Sequence, residues 1–144
     1  MISKYRLRRR VRFYETDAAG IVHFSWFYRY MEEAEHALWR EAGLSIARDI
    51  TEFGFPRLSA SFDFHQPLQF EDEFDIDLVI SKITKKTIHY NVHIMKGKTL
   101  IATGSMVIAC VKKYPGKPMK AVPIPKDIIK FFQIATPASP SKNK

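Results

Sequence analysis

The sequence predicts an α+β domain in which a curved, five-stranded antiparallel sheet wraps around one long helix. Five segments alternate apolar and polar residues, as half-buried strands do, and one segment at 25–41 places its apolar residues on a single helical stripe. The breaks between the last four strands are short, which indicates antiparallel neighbours. Such a sheet buries the helix by curling around it, and its outer face stays partly apolar. We therefore expect a second subunit to cover that outer face.

The first strand is predicted at residues 5–13. Its apolar residues share one face: Tyr5, Leu7, Val11 and Phe13. Its arginines share the other face: Arg6, Arg8, Arg10 and Arg12. We interpret the arginines as the solvated face of an outer strand. No aromatic residues interleave with them to stack on bases, so no nucleic-acid partner is expected.

The long helix is predicted to begin with Ser25 as its N-cap and to end before Gly43. Its buried stripe has helical spacing: Phe27, Met31, Ala34 and Leu38. The opposite side is expected to be solvated or to face another subunit: Glu32, Glu33, His36 and Arg40. The glutamates of this helix have no histidine at a metal-binding spacing, so no metal site is expected.

The four later strands are predicted from alternating runs: 58–64, 74–80, 88–94 and 100–110. They are expected to form a meander. The last run is apolar on both faces, which predicts a central strand with Cys110 as a small buried core residue. A short helix is predicted near the C-terminus, with three apolar residues: Ile128, Ile129 and Phe132. The domain is expected to span 1–135, and 136–144 to form a flexible tail.

The length, charge and composition of the chain limit the classes of protein to which it can belong. The 144 residues suit one domain with a sizeable core. Lys and Arg outnumber Asp and Glu by 23 to 15, and the formal charge of +8 favours phosphate-bearing partners. A single cysteine allows no intrachain disulfide. The N-terminus lacks the apolar core of a signal peptide, and no run reaches the roughly 18 residues of a membrane span. We therefore expect a cytoplasmic protein with no membrane span.

Residues 13–24 join the first strand to the helix through a loop of small residues that contains one carboxylate, Asp17. The start of a helix has free backbone N–H groups and the positive end of the helix dipole. A carboxylate beside such groups provides what the hydrolysis of an activated carbonyl compound requires. Gly20 suits a sharp turn that needs either a positive φ or a close approach of the backbone.

Three stretches of the chain resemble acyl-CoA thioesterases of the hotdog fold. They are Tyr14–Val22 with its Thr-Asp-x-x-Gly core, Phe64–Asp72 with its aromatic-x-x-Pro-Leu turn, and Ala121–Pro125. The resemblance covers about residues 10–131 and is strongest to the branch of 4-hydroxybenzoyl-CoA thioesterase and the tol-pal-associated thioesterase. It implies the hotdog fold and an enzyme that hydrolyses acyl-CoA.

The resemblance implies that Asp17 is the nucleophile or general base and that the backbone N–H of Phe24 is the oxyanion donor. A thiol has a pKa of about 8.5, so the thiolate leaves without a general acid and these two groups suffice. Gly20 shapes the loop. Tyr14 and His23 flank the site, where they are expected to contact substrate or orient Asp17. Many relatives carry Tyr-His where this chain has His23-Phe24, so a histidine role at the second position is absent or displaced here.

The implied substrate is an acyl-CoA, and no cofactor is expected because coenzyme A is part of the substrate. The resemblance places its phosphates on three lysines: Lys85, Lys86 and Lys120. It places the acyl or pantetheine groove along three further residues: Phe55, Pro56 and Arg57. The expected assembly is a homodimer and, by resemblance, a homotetramer.

Two other functions stay open at this point. A hotdog hydratase or dehydratase would use His23 with Glu32 or Glu33. A non-catalytic module would bind an acyl group or nucleic acid. The acyl group is open as well, because a pocket of aromatic residues can hold an aromatic ring or a short chain: Trp26, Phe27 and Phe55. The thiol carrier is coenzyme A or an acyl-carrier protein.

Overall fold

The structure is a computed structural model that describes residues 1–47 and 52–136. The strands in these ranges are β1 (Lys4–Arg10), β2 (Phe53–Gly54), β3 (Arg57–Phe64), β4 (Glu73–Ile83), β5 (Thr87–Lys96), β6 (Thr99–Ala109), β7 (Val111–Tyr114) and β8 (Lys117–Ala121). The helices are α1 (Phe24–Glu41) and α2 (Lys126–Ile129), and Phe13–Glu15 forms a 3₁₀ turn. Apart from Thr136, the predicted tail at 136–144 lies outside the described residues.

The five long strands form one antiparallel sheet in the order β1-β4-β5-β6-β3. The register aligns Leu7 with Ile76, Ile76 with Ile94, and Ile94 with Ala102, whose other neighbour is Phe64. This row of apolar residues lies on the face that packs against the buried stripe of α1. The predicted fold class, a five-stranded antiparallel sheet around one long helix, is confirmed.

The strand order differs from the predicted meander, because β3 and β4 are not neighbours. β3 pairs with β6 at one edge, whereas β4 pairs with β1 at the other. Residues 65–72 join them, and eight residues extend to about 26 Å, more than the roughly 14 Å between strands three places apart. β6 is an interior strand, as its two apolar faces predict, although it is not the middle one of the five. It lies between β5 and β3, and β5 occupies the centre.

The predicted stripe of α1 is confirmed, since all its members are buried: Phe27, Met31, Ala34 and Leu38. The predicted N-cap is wrong. The cap is His23 and not Ser25, because the Nδ1 atom of His23 accepts a hydrogen bond from the backbone N–H of Ser25 at 3.2 Å. Gly43 follows the last turn with a φ of +78° and ends the helix, as predicted.

The first strand is shorter than predicted and ends at Arg10. Beyond it the chain bends into the 3₁₀ turn, where the backbone N–H of Arg12 donates to the side chain of Glu15 at 2.9 Å. Phe13 is consequently 74% exposed, whereas the prediction placed it on the buried face. Val11 is buried as predicted.

The outer face of the sheet is chiefly polar. Three arginines of β1 are exposed on this edge strand, as predicted, and they pair with carboxylates of β4: Arg6 with Asp77, Arg8 with Glu73 and Asp75, and Arg10 with Glu73. In the middle of this face, Asn91 lies opposite Ser105 and His93 opposite Thr103. The apolar surface expected there is therefore small, and it gives little reason for a second subunit to cover this face.

A second, smaller sheet has the strand order β2-β7-β8. The sequence pattern does not predict it, because β2 and β7 are short and every residue of β8 is exposed.

The short helix α2 is confirmed, with Ile128 and the following Phe132 buried. Cys110 is buried as predicted, and burial raises the pKa of its thiol. Within the described ranges, neither helix combines the length and apolar character that a bilayer crossing requires.

Candidate active site

The loop between β1 and α1 closes into a tight turn at Asp17–Gly20. The N–H of Asp17 donates to the oxygen of Ile21 at 2.8 Å, and the N–H of Gly20 donates to the oxygen of Asp17 at 2.9 Å. Gly20 has a φ of +79°, and a Cβ atom added to it would meet nothing within 4 Å. Of the two reasons considered for this glycine, the positive φ applies and a close backbone approach does not.

Asp17 lines an open cavity of about 460 Å³. Its Oδ1 atom accepts a hydrogen bond from the N–H of Ala19 at 2.8 Å, which limits the rotation of the side chain. The rest of the lining is mainly apolar: Ile21, Val22, Phe24, Phe27, Phe64 and Leu68. The cavity therefore places one half-buried carboxylate beside aromatic and aliphatic side chains.

One wall of this cavity comes from residues 65–72, the segment that joins β3 to β4. The N–H of Val22 donates to the oxygen of Leu68 at 2.8 Å, and Ile21 forms an isolated bridge with Gln69. The segment that crosses between the sheet edges is thus hydrogen-bonded to the Asp17 loop. This wall was not predicted, although the segment carries part of the family resemblance.

The other wall is the first turn of α1. The Nδ1 atom and the main-chain oxygen of His23 accept hydrogen bonds from the N–H groups of Ser25 and Trp26, at 3.2 and 3.0 Å. The N–H of Phe24, by contrast, has no acceptor in the described part of the chain. Helix-start N–H groups and the helix dipole stabilise negative charge. Asp17 and Phe24, predicted as a pair, line the same cavity.

Behind the loop lies a buried ionic cluster that was not predicted. Glu15 has no exposed surface, and its Oε1 atom accepts hydrogen bonds from the hydroxyl of Tyr30 and the N–H of Arg12, each at 2.9 Å. Burial alone would raise the pKa of Glu15, but the hydrogen bonds from Arg9, Arg12 and Tyr30 outweigh it and lower the pKa. Burial and the bond to Glu15 raise the pKa of Tyr30, which remains a donor. The feature of the sequence that could have indicated this cluster is Arg9, a charged residue at an inward-facing position of β1.

Neither Tyr14 nor His23 lines the Asp17 cavity as the structure describes it. Tyr14 is 65% exposed, and its ring packs against the ring of Trp26 with 5.6 Å between centroids. His23 is exposed and serves as the helix cap, with its Nδ1 atom also 2.8 Å from the hydroxyl of Ser25. A role of either side chain toward substrate stays a prediction.

The segment at Phe55, Pro56 and Arg57 lines a different cleft, of about 470 Å³. The Nη2 atom of Arg57 lies 3.2 Å from Oε2 of Glu32 and 2.7 Å from Oε1 of Glu35. The guanidinium charge is therefore already paired with two carboxylates. Within one chain, Phe55 and Pro56 do not line the Asp17 cavity, whereas Arg57 also lines a pocket of about 370 Å³ that contains Phe24.

The predicted phosphate-binding lysines lie at the other end of the sheet. Lys85 and Lys86 form the turn between β4 and β5, and the oxygen of Lys86 accepts the N–H of Cys110 just past β6, at 2.8 Å. Lys120 belongs to β8, beyond the same end of β6. The cavity lies near Ala102, which pairs with the last residue of β3. Eight residues of strand separate Ala102 from Cys110, or roughly 26 Å. One chain does not bring these lysines to the cavity.

The groups considered for a hydratase are not brought together either. His23 precedes Glu32 and Glu33 by nine and ten residues along α1, which is roughly 14 Å at the rise of an α-helix. Glu32 pairs with Arg57, and Oε1 of Glu33 lies 2.9 Å from Nε of Arg9. Within one chain this arrangement does not favour hydratase chemistry.

Comparisons with known proteins agree with this geometry. The profile of a family described as the thioesterase-like superfamily matches residues 11–132. A protein of Aquifex aeolicus that carries a provisional esterase name is 32% identical over 128 residues, which cover 88% of this chain and 95% of that protein. A 1,4-dihydroxy-2-naphthoyl-CoA hydrolase of Synechococcus elongatus is 22% identical, over 92% of this chain and 98% of the hydrolase. The structure of BH1999 gentisyl-coenzyme A thioesterase is similar with a TM-score of 0.77 and 30% identity, over 86% of this chain and 98% of that one.

Proposed function

Because the chain belongs to the thioesterase-like superfamily and has its hotdog fold, we propose that it hydrolyses an acyl-CoA to a free acid and coenzyme A. The observation that carries this proposal is the cavity that Asp17 shares with Phe24, the first residue of α1. A carboxylate and a helix-start N–H are the two groups that hydrolysis of a thioester needs. Coenzyme A enters as part of the substrate, and its thiolate is the leaving group.

In the proposed reaction, Asp17 acts on the thioester carbonyl in one of two ways. As a nucleophile, its carboxylate bonds to the acyl carbon, the C–S bond breaks, coenzyme A leaves as the thiolate, and water then hydrolyses the anhydride. As a general base, it takes a proton from the water that attacks the same carbon. In both cases the N–H of Phe24 stabilises the oxyanion, and a donor of this kind lowers the barrier by about 3 kcal/mol.

We propose an aromatic acyl group. The cavity residues Phe27 and Phe64 form an edge-to-face pair with 5.0 Å between ring centroids, and Phe62 lies 5.9 Å from Phe27. Such rings pack favourably against another aromatic ring. Two relatives act on dihydroxynaphthoyl and gentisyl esters, which are both aromatic. In a panel of acyl-CoA esters, kcat/KM should be at least about tenfold higher for aryl than for aliphatic groups of similar size. Equal values would contradict the aromatic preference.

We further propose that β3 joins two copies of the chain in a homodimer. β3 is an edge strand, and Leu58 and Phe64 on it are 62% and 48% exposed. An unpaired edge strand is a ready partner for the same strand of a second copy. Antiparallel pairing about a two-fold axis would bring the lysine end of one subunit beside the Asp17 cavity of the other. The homotetramer stays a prediction.

Mixing two defective variants tests this shared site. Asp17→Asn lacks the carboxylate, and the double variant Lys85→Ala/Lys86→Ala lacks the lysines. A mixed dimer would contain one site with both defects and one intact site. After co-refolding, random pairing should therefore make about one quarter of all sites intact, and activity at low substrate concentration should rise above that of the two variants refolded separately. No recovery in a mixture that light scattering shows to be dimeric would contradict the shared site.

The central test is Asp17→Asn. We expect thiol release from a good substrate to fall by about 10³-fold or more, with an unchanged circular dichroism spectrum. A variant that keeps most of the activity would contradict the proposed chemistry. A hydratase would instead change the absorbance of an enoyl thioester without releasing thiol, so the two activities are measured on the same sample.

A further inference from the structure

Glu15 links the two elements that carry the proposed reacting groups, by hydrogen bonds to α1 and its N-cap and by the chain itself to the Asp17 loop. Its side chain accepts a hydrogen bond from Tyr30 of α1 at 2.9 Å. Its main-chain oxygen accepts the N–H of His23, the N-cap of α1, at 2.8 Å. Asp17 follows Glu15 by two residues, and Phe24 directly follows His23. The position of Glu15 therefore affects the Asp17 loop and the helix start together.

Arg9 holds Glu15 in place from the sheet. Its Nη1 atom donates to Oε1 of Glu15 at 2.8 Å, and its Nη2 atom lies 2.6 Å from Oε2. The guanidinium also lies 4.7 Å from the ring centroid of Tyr30, and its Nε atom donates to Glu33 of α1 at 2.9 Å. A guanidinium that meets both oxygens of a carboxylate fixes its direction as well as its position. Glu15 is thus held between β1 and α1.

Stability alone accounts poorly for this cluster. A buried ion pair adds little net stability compared with apolar residues of similar volume, because both charges must be desolvated. Positional precision is different, since a misplacement of about 1 Å costs on the order of 100-fold in rate. The cluster of Arg9, Glu15 and Tyr30 provides that precision directly behind the proposed site.

We propose that Glu15 is a positioning residue for thioester hydrolysis, which sets the separation between the Asp17 carboxylate and the N–H of Phe24. The inference rests on the proposed function of Asp17 and Phe24. Glu15 acts through the geometry of the reaction and does not bind substrate. Its replacement therefore lowers kcat and leaves KM nearly unchanged.

The test compares two buried tyrosines. Tyr30→Phe removes the hydroxyl that donates to Glu15. Tyr90→Phe is the matched control, because Tyr90 is also buried and its hydroxyl accepts a hydrogen bond from Trp39 at 3.1 Å, but it lies in the central strand. Both variants should lose similar thermal stability. Tyr30→Phe should lower kcat about threefold or more and Glu15→Gln about tenfold or more, each with KM within about twofold, while Tyr90→Phe keeps its kcat.

Amide hydrogen exchange of the peptide 13–24 gives a readout that does not depend on activity. Glu15→Gln should speed the exchange of this peptide, and Tyr90→Phe should not. Equal losses of kcat in Tyr30→Phe and Tyr90→Phe, or unchanged kcat and exchange in Glu15→Gln, would overturn the positioning role. Failure of the wild type to release thiol from any acyl-CoA would instead overturn the proposed function. The exchange rates would then still decide whether Glu15 holds the loop.

Discussion

The Nη2 atom of Arg57 lies 2.7 Å from Oε1 of Glu35, a carboxylate with no exposed surface. This contact joins the first residue of β3 to the middle of α1. Burial raises the pKa of Glu35, although the charge and hydrogen bond of Arg57 oppose that rise. Removal of Arg57 would therefore leave Glu35 buried without a counter-charge, with the hydrogen bond from Tyr90 still favouring its ionised form.

The first prediction concerns this pair. Arg57→Met should lower the free energy of unfolding by about 3 kcal/mol, because Glu35 stays buried and unpaired. The double variant Arg57→Met/Glu35→Gln should recover more than half of that loss, since it buries no unpaired charge. Urea denaturation measures both. A double variant less stable than Arg57→Met would show that the unpaired carboxylate is not the cause.

The second prediction compares two glycines in left-handed backbone. Gly20 and Gly97 have φ values of +79° and +57°, and a Cβ atom on either would meet nothing within 4 Å. Alanine at each position should cost about 1 kcal/mol of stability, because only the backbone strain differs from the wild type. Gly20→Ala should also lower kcat, since that turn holds Asp17. Gly97→Ala should keep the wild-type kcat, and a loss there equal to that of Gly20→Ala would contradict the assignment.

The third prediction concerns the charge at the lysine end. Lys86→Ala should raise KM for an acyl-CoA about threefold or more with little change in kcat, because a phosphate contact contributes equally to substrate and transition-state binding. The effect should shrink as salt is added. Lys4→Ala is the control, since Lys4 is an exposed lysine of β1, the edge strand farthest from β3 and therefore from the proposed dimer interface. Equal KM values for Lys86→Ala and the wild type would remove Lys86 from the binding site.

The fourth prediction is a pH dependence of stability. The pKa of Glu15 is lower in the folded protein than its ordinary value of 4.5, so the unfolded chain binds the proton more tightly. The stabilisation from the ionised carboxylate is complete above the unfolded pKa and is lost as the pH falls through the folded pKa. The stability difference between the wild type and Glu15→Gln should therefore be constant near neutral pH and shrink below about pH 4.5. Thermal unfolding at several pH values measures it, and a difference that does not change with pH would contradict the assignment.

Local patterns in the sequence predict the strands and helices of this fold. They do not predict which strands lie beside each other in the sheet. Burial of one face determines the alternation in β4 and the stripe of α1, so both are predictable. Alternation determines which face of a strand is buried but not which strand lies beside it. The pairing of β3 with β6 therefore could not be predicted. Ser25 is a common N-cap residue, and the cap at His23 depends on a ring nitrogen reaching a nearby N–H.

The candidate site likewise has a part that the sequence predicts and a part that it does not. Asp17, Gly20 and Phe24 lie within eight positions of one another, so their proximity is a local property of one loop. The wall at 65–72 and the contact of Glu15 with Tyr30 join distant parts of the chain, and residue spacing contains no information about them. The predicted lysines lie far from Asp17 in one chain, which makes their role depend on a second subunit.

The burial of Cys110 affects how the reaction is measured. It is the chain's one cysteine, and a protonated thiol inside the core does not react with a disulfide dye. The native enzyme is therefore silent in an assay for free thiol, even when its concentration approaches that of the substrate. Under such conditions, an initial burst of coenzyme A equal to the enzyme present would show that a step after C–S cleavage limits the rate, as an accumulated anhydride on Asp17 requires. The buried thiol of Cys110 thus allows stopped-flow measurements to observe the first turnover.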